Sequence, residues 1–271
     1  MNRKERKIRP LIFVFALLSL LVITAPLQAQ TQEIIVTVEN LAPAGGFYFT
    51  PVWVGLHNGS FDLFDLGGLV SEGVERFAED GDASVLQAEF EAAVGGAGSI
   101  NTLITAPDGF AGAPVFDPGD VAGIQLTVDS KANSCLSFMS MIIPSNDAFI
   151  GNHNPKAIEL FDADGKFKGK QIITILGSMI WDAGTELNNE MDAAFINQTE
   201  PNTGVPTMCP VLPHPGYIGS YANPGSDPII LGGTGPADII FDLVAADFSL
   251  PYTVVARITI EPVTMNGEMG K

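Results

Sequence analysis

Asp182 and Glu186, four residues apart in the stretch WDAGTE, are of a type and spacing that could do chemistry. Gly184 between them lets a loop fold back on itself. Calcium takes six to eight oxygen ligands, and loops at the end of a sandwich supply these from carboxylates, carbonyls and water. Acidic loop residues also commonly do no more than face solvent, so the pair alone leaves both readings open. A second acidic stretch, FDADGKF, begins as an EF-hand loop does, with Asp162 and Asp164. Its Gly165 comes too early, however, and Ile173 stands at the twelfth position, where that loop needs a glutamate. The stretch therefore reads as a tight turn between strands.

The histidines are His57, His153 and His214, each beside Asn or Pro and none with a His, Cys or Glu at metal-ligand spacing. That pattern argues against zinc chemistry. The chain contains no HExxH, GxSxG, P-loop, GxGxxG or CxxC. A hydrolase would have to draw its groups from separate loops, with Asp147 as a base and one histidine, such as His153, as its partner. The two cysteines, Cys135 and Cys209, permit a disulfide in an oxidising compartment, and two separate thiols are the alternative.

The elements that must position these residues are mostly strands. In EIIVTVENL, Ile34, Val36 and Val38 alternate with Ile35, Thr37 and Glu39, as a strand with one buried face requires. The aromatic and β-branched run AGGFYFTPVWVGLH predicts a second strand, joined to the first by a hairpin or a crossover. Phe47, Phe49 and Trp53 within it suit core packing better than a sugar-binding face. In SEGVERFAEDGDASVLQAEFEAAV the spacing predicts two helices, one burying Val74, Phe77 and Ala78, the other Val85, Leu86 and Phe90. Gly81 should end the first and Asp82 cap the second. Residues 95–120 read as loop with short strands. VAGIQLTVDS and SCLSFMSMIIPS read as an antiparallel pair, QIITILGSMI as another strand, and Val254, Ala256, Ile258 and Ile260 as the buried face of a last one. Residues 197–235, rich in Pro and Gly, read as a long surface excursion.

Several of these segments together resemble the spondin N-terminal domain, the module of F-spondin, mindin and exported bacterial proteins. FTPVWVGLHNG and VSEGVERFAEDG are similar to the family's "SP…GxxH" strand and "ASEGxxxFAExG" helical segment. SFMSMIIPSNDAFIG resembles "SFxxxIxPSPDWFxG", WDAGTE resembles "YDAGTD", and ARITIEP resembles the "ARVTL" ending. The matches occur in the family's order and spread over nearly all of residues 30–271. The resemblance implies an all-β fold, an antiparallel β-sandwich with C2-like topology, here carrying a short helical insertion. It also implies a calcium ion (Ca2+) near one end, held by the side chains of Asp147, Asp182 and Glu186 and by the carbonyl of Phe149. Three departures fall at this site: Asn146 stands for the family's Pro, Ala148 for its Trp and Glu186 for its final Asp. Glu186 keeps the carboxylate on a longer arm.

Composition bounds the rest. The sequence opens with Arg3, Lys4, Arg6, Lys7 and Arg9, then an apolar run of about 15 residues and the small-residue stretch APLQAQ, the order of a secretory signal peptide. Cleavage after Ala29 would leave one domain, 30–271, with no membrane span and an exported destination, periplasmic or extracellular. The net charge of −18 disfavours nucleic acid and anionic lipid as partners. The expected function is a secreted, calcium-binding adhesion or recognition module without catalytic activity, its partner an extracellular protein or a glycan. The alternatives are the hydrolase above, or a structural envelope protein whose ion only staples loops.

Overall fold

The computed structural model describes residues 29–94, 96, 98–106, 114–188, 204–214, 241–247 and 251–263. The expected leader and most of the 197–235 segment lie outside them. Among the described residues the strands make two antiparallel sheets.

β1 (Thr31–Asn40) forms as its alternation predicts: Ile34, Val36 and Val38 are fully buried. On one side β1 pairs with β11 (Val254–Pro262), Val36 opposite Ile260, and on the other with β5 (Val121–Asp129), Val36 opposite Ile124. With β8 (Gln171–Leu176) this gives the order β5-β1-β11-β8. Ile258 and Ile260 fill the core, but a shift in register between Val254 and Ala256 turns Val254 outward and buries Val255 in its place. A bulge resets the period-two alternation, which is why the sequence pattern fails at that one position.

The second sheet runs β10-β9-β7-β6-β3-β4, where β10 is Leu212–Pro213, β9 Ile180–Asp182, β7 Ala148–Gly151, β6 Cys135–Ile143, β3 Val52–His57 and β4 Ile100–Ile104. The short β2 (Tyr48–Phe49) pairs with β6 as well. The chain thus crosses between sheets after β1. It crosses back again after β5, so β5 and β6 do not form the expected antiparallel pair. β5, exposed along one face, joins β1 in the smaller sheet, and β6, buried on both faces, joins β3 in the larger one.

One core lies between the sheets, where Val54, Leu56, Leu136, Phe138 and Ile142 meet Ile34, Val36, Ile258 and Ile260. A second core covers the other face of the larger sheet. There Trp53, Met139, Phe149 and Trp181 pack against Val74, Phe77, Leu86 and Phe90 of α1 (Glu72–Asp80) and α2 (Ser84–Val94). A strand covered on both faces has no polar side, hence the unbroken burial of CLSFMSMII in β6. Each large side chain so buried contributes about 1.5–3 kcal/mol. Phe47, Phe49 and Trp53 are all core, as expected. A short α3 (Leu243–Ala246) precedes β11.

The helix ends follow the sequence. Ser71 Oγ accepts from Val74 N at 3.3 Å and donates to Glu89 Oε2 at 2.6 Å, so a residue of α2 steadies the start of α1. Gly81, at φ 71°, ends α1 with its N–H on Phe77 O, and Asp82 Oδ1 accepts from Ser84 N at 2.9 Å. Leu86 and Phe90 are buried, Val85 only partly.

Candidate metal centre

The last residue of the turn after β6 is Asp147. Ser145 shapes that turn, its hydroxyl donating to Ile142 O at 2.6 Å and accepting from Ala148 N at 3.0 Å. β7 then lies between β6 and β9, with Ala148 opposite Asp182 and Phe149 between Met141 and Trp181. Ala183 N donates to Asp147 O at 3.2 Å, which carries the 182–186 loop alongside Asp147. The loop closes on itself through Asp182 Oδ1, which accepts from Gly184 N at 2.8 Å; Asp182 Oδ2 accepts from Asn188 Nδ2. Residues 204–209 clamp it from outside: Gly184 O takes hydrogen bonds from Thr207 Oγ1 at 2.7 Å and Cys209 N at 2.9 Å.

Asp147 is fully buried. Its Oδ2 accepts from Thr185 N at 2.8 Å, Glu186 N at 3.1 Å and Thr185 Oγ1 at 3.3 Å. Its Oδ1 has no hydrogen-bond partner, and neither does the buried Glu186 Oε2. Burial, and then the adjacent Asp182 carboxylate, pushes the Asp147 carboxyl up from its usual range; burial likewise raises Asp182. Glu186 goes up to about 8, first through burial and then through the charges of Glu79, Asp147 and Asp80. Glu79, near the end of α1, is buried and pushed up to about 7 mainly by burial, although a hydrogen bond with the Thr185 side chain opposes the rise.

The structure therefore brings Asp147, Asp182 and Glu186 to one end of the larger sheet and leaves Phe149 two residues along β7, its ring 5.1 Å from Phe64. Among the described residues no three His, Cys, Asp or Glu side chains are arranged so as to hold a metal ion together. What fits a hard cation is the donor set: anionic oxygens, two of them buried and unpartnered, in a place where burial alone disfavours their charge.

Asp162 Oδ1 accepts from Asp164 N at 3.0 Å and Lys166 N at 2.9 Å, and Gly165 at φ 74° completes the expected tight turn. His57 is buried under Phe61 and Phe90; its Nδ1 accepts from Gly59 N at 3.0 Å, so the proton is on Nε2, 3.0 Å from Ser137 Oγ. His153 is exposed, its ring against Trp181 and Phe64. A cavity of about 280 Å³ lies there, lined by Phe138, Asn152, Ile158, Ile173 and Trp181 among others. Asp147 does not line it, and Asn152 spends its amide on Phe138 N, Ser137 Oγ and Asn154 O, so the base and histidine of a hydrolase are not brought together there.

No Cys135–Cys209 disulfide forms. Cys135 opens β6, whereas Cys209 sits on Gly184 beside the far end of that strand. The nine residues of β6 put roughly 26 Å between the two ends, against the ~7 Å limit between bridged Cα atoms.

The Spondin_N family model matches residues 42–213. The chain belongs to the spondin N-terminal domain family. The match takes in Asp147 and the 182–186 loop, together with the helical pair. The flanking strands β1 and β11 lie outside it, yet they pair with each other and complete the smaller sheet. No curated protein matches this spondin domain in sequence. Sequence reasoning missed Thr185 as the hub of the loop and Glu79 as a neighbour of Glu186. A signal for Glu79 was present: an acidic pair, Glu79 and Asp80, in the last turn of a helix, where negative charge is disfavoured.

Proposed function

We propose that this spondin domain is an exported calcium-binding module for recognition or adhesion, with no catalytic task. The family is one of extracellular recognition modules, and among the described residues no helix is long and apolar enough to cross a membrane. The observation that carries the calcium reading is Asp147: a fully buried carboxylate with one oxygen unpartnered, beside Asp182 and Glu186.

Asp147, Asp182 and Glu186 are the side chains to hold the ion, with the Phe149 carbonyl as a further oxygen and water in the remaining positions. When bound, calcium supplies positive charge and six to eight coordination positions. The chain's own part is geometric. Three N–H and O–H donors fix Asp147 Oδ2, which leaves Oδ1 as the ligating atom. Asp182 is held by Gly184 and Asn188, and Glu186 would supply the third carboxylate. Fixing this loop beforehand lowers the ordering cost when a partner, an extracellular protein or a glycan, docks at this end.

Calorimetric titration of the full chain with calcium tests the reading. Binding at a site that Asp147→Asn abolishes supports it, and no heat of binding in the unaltered chain refutes it.

A further inference from the structure

β7 ends at Gly151, opposite Met139, while β6 and residues 177–179, which lead into β9, run on past it. A notch opens there between Phe138 on one side and Met179 and Trp181 on the other, and it forms the cavity of about 280 Å³. Trp181 leans toward the end of β7, its Nε1 donating to Gly151 O at 2.9 Å. Ile158 and Ile173 close the sides, the latter from β8, the edge strand of the smaller sheet. An apolar cavity with a few polar groups at its mouth is the usual form of a small-molecule site.

The lining selects the ligand. An apolar cavity of roughly 150 Å³ takes up benzene, and this one, at about 280 Å³, has room for two fused rings. Phe138, Trp181 and the Met179 sulfur all favour an aromatic guest over an aliphatic one. No Asp, Glu, Lys or Arg lines the cavity, so a charged ring would enter without a counter-ion. The deep polar groups are already spent: Asn152 Oδ1 accepts from Phe138 N, and its Nδ2 donates to Ser137 Oγ and Asn154 O. A sugar would therefore lose its bonds to water without replacement. His153 stands exposed at the mouth, its ring against Trp181 and Phe64, and among the described residues its imidazole makes no hydrogen bond. It can meet one polar atom of a guest. We propose that this cavity binds a neutral two-ring aromatic molecule with a single hydroxyl or N–H, the rings between Phe138 and Trp181 and the polar atom at His153.

The test is a titration of the full chain with 2-naphthol in EGTA, which makes the result independent of calcium. One saturable site is expected, with a shift in the Trp181 indole N–H resonance. The resonance of Trp53, fully buried and bonded to Asn101 Oδ1, should stay in place. Ala157 is exposed at the rim, so Ala157→Phe puts a ring into the cavity without disturbing either core. It should weaken binding at least about tenfold and leave the unfolding midpoint unchanged. His153→Ala should weaken binding about threefold to tenfold, the worth of one hydrogen bond. No shift at Trp181 up to the solubility limit of 2-naphthol, or binding that Ala157→Phe leaves unaltered, overturns the site. Equal affinity for the anion 2-naphthoate or for decanol overturns the ligand class.

Discussion

Asp147 and Thr185, 38 residues apart in sequence, are joined by two hydrogen bonds to one oxygen: Thr185 N and Oγ1 both donate to Asp147 Oδ2. The arrangement fixes a loop and frees the second oxygen. Asn at position 147 keeps an acceptor for the N–H groups of Thr185 and Glu186, and Ala does not. Asp147→Ala should therefore lose about 1–3 kcal/mol in EGTA, the cost of leaving buried donors unsatisfied, while Asp147→Asn stays close to wild type. Urea denaturation of the two variants checks the difference.

Gly184 lies at φ 72°, and a Cβ there would stand 2.4 Å from Cys209 O. Both the backbone conformation and the close approach require glycine. Gly184→Ala should cost about 1–3 kcal/mol of stability and weaken calcium binding, since the loop that carries Asp182 and Glu186 can no longer close. Thermal unfolding and calcium titration of the same variant report the two effects.

Burial raises Glu186 to about 8 and Glu79 to about 7. An acid whose folded pKa lies above its unfolded one binds more protons folded than unfolded. Its stabilising contribution is complete below the unfolded pKa and is lost as pH rises through the folded value. Burial lowers His57 to about 4 and His214 to about 3, with the opposite consequence: stability is lost as pH falls from about 6.5 toward those values. From about pH 7.5 upward the histidines are neutral in both states and only the carboxylates remain. In EGTA, stability should fall between about pH 7.5 and 8.5; with saturating calcium that decline should vanish, and calcium binding at pH 7 should release protons. Denaturation at three pH values and titration in two buffers of different ionisation enthalpy measure both.

Cys209 is exposed and Cys135 is buried, and neither is bonded. A thiol reagent should modify Cys209 on the native protein and reach Cys135 only on unfolding. Electrophoretic mobility should not change on reduction.

Much of this was legible in the residues. The alternation of Ile34, Val36 and Val38, the stop at Gly81, and the turn at Asp162 and Gly165 all rest on local periodicity or on one residue's backbone preference, and the structure has each. The resemblance in SFMSMIIPSNDAFIG and WDAGTE pointed to segments that the sheet does bring together, Ala148 opposite Asp182. What was not legible depends on contacts between distant segments. The pairing of β5 with β1 instead of β6 is decided by which sheet each strand joins. The bulge that exchanges Val254 for Val255 is set by the register against β8. Thr185 reaches Asp147 only because β7 lies beside β9, and no spacing in the sequence encodes that.

The most direct test of the proposed calcium binding is thermal unfolding of the full chain with and without millimolar calcium, beside Asp147→Asn/Asp182→Asn. The account predicts that calcium raises the midpoint of the unaltered chain by several degrees, as mass-action stabilisation requires, and leaves that of the variant where it was. An unaltered chain whose midpoint does not move with calcium, or a variant that responds equally, would contradict it.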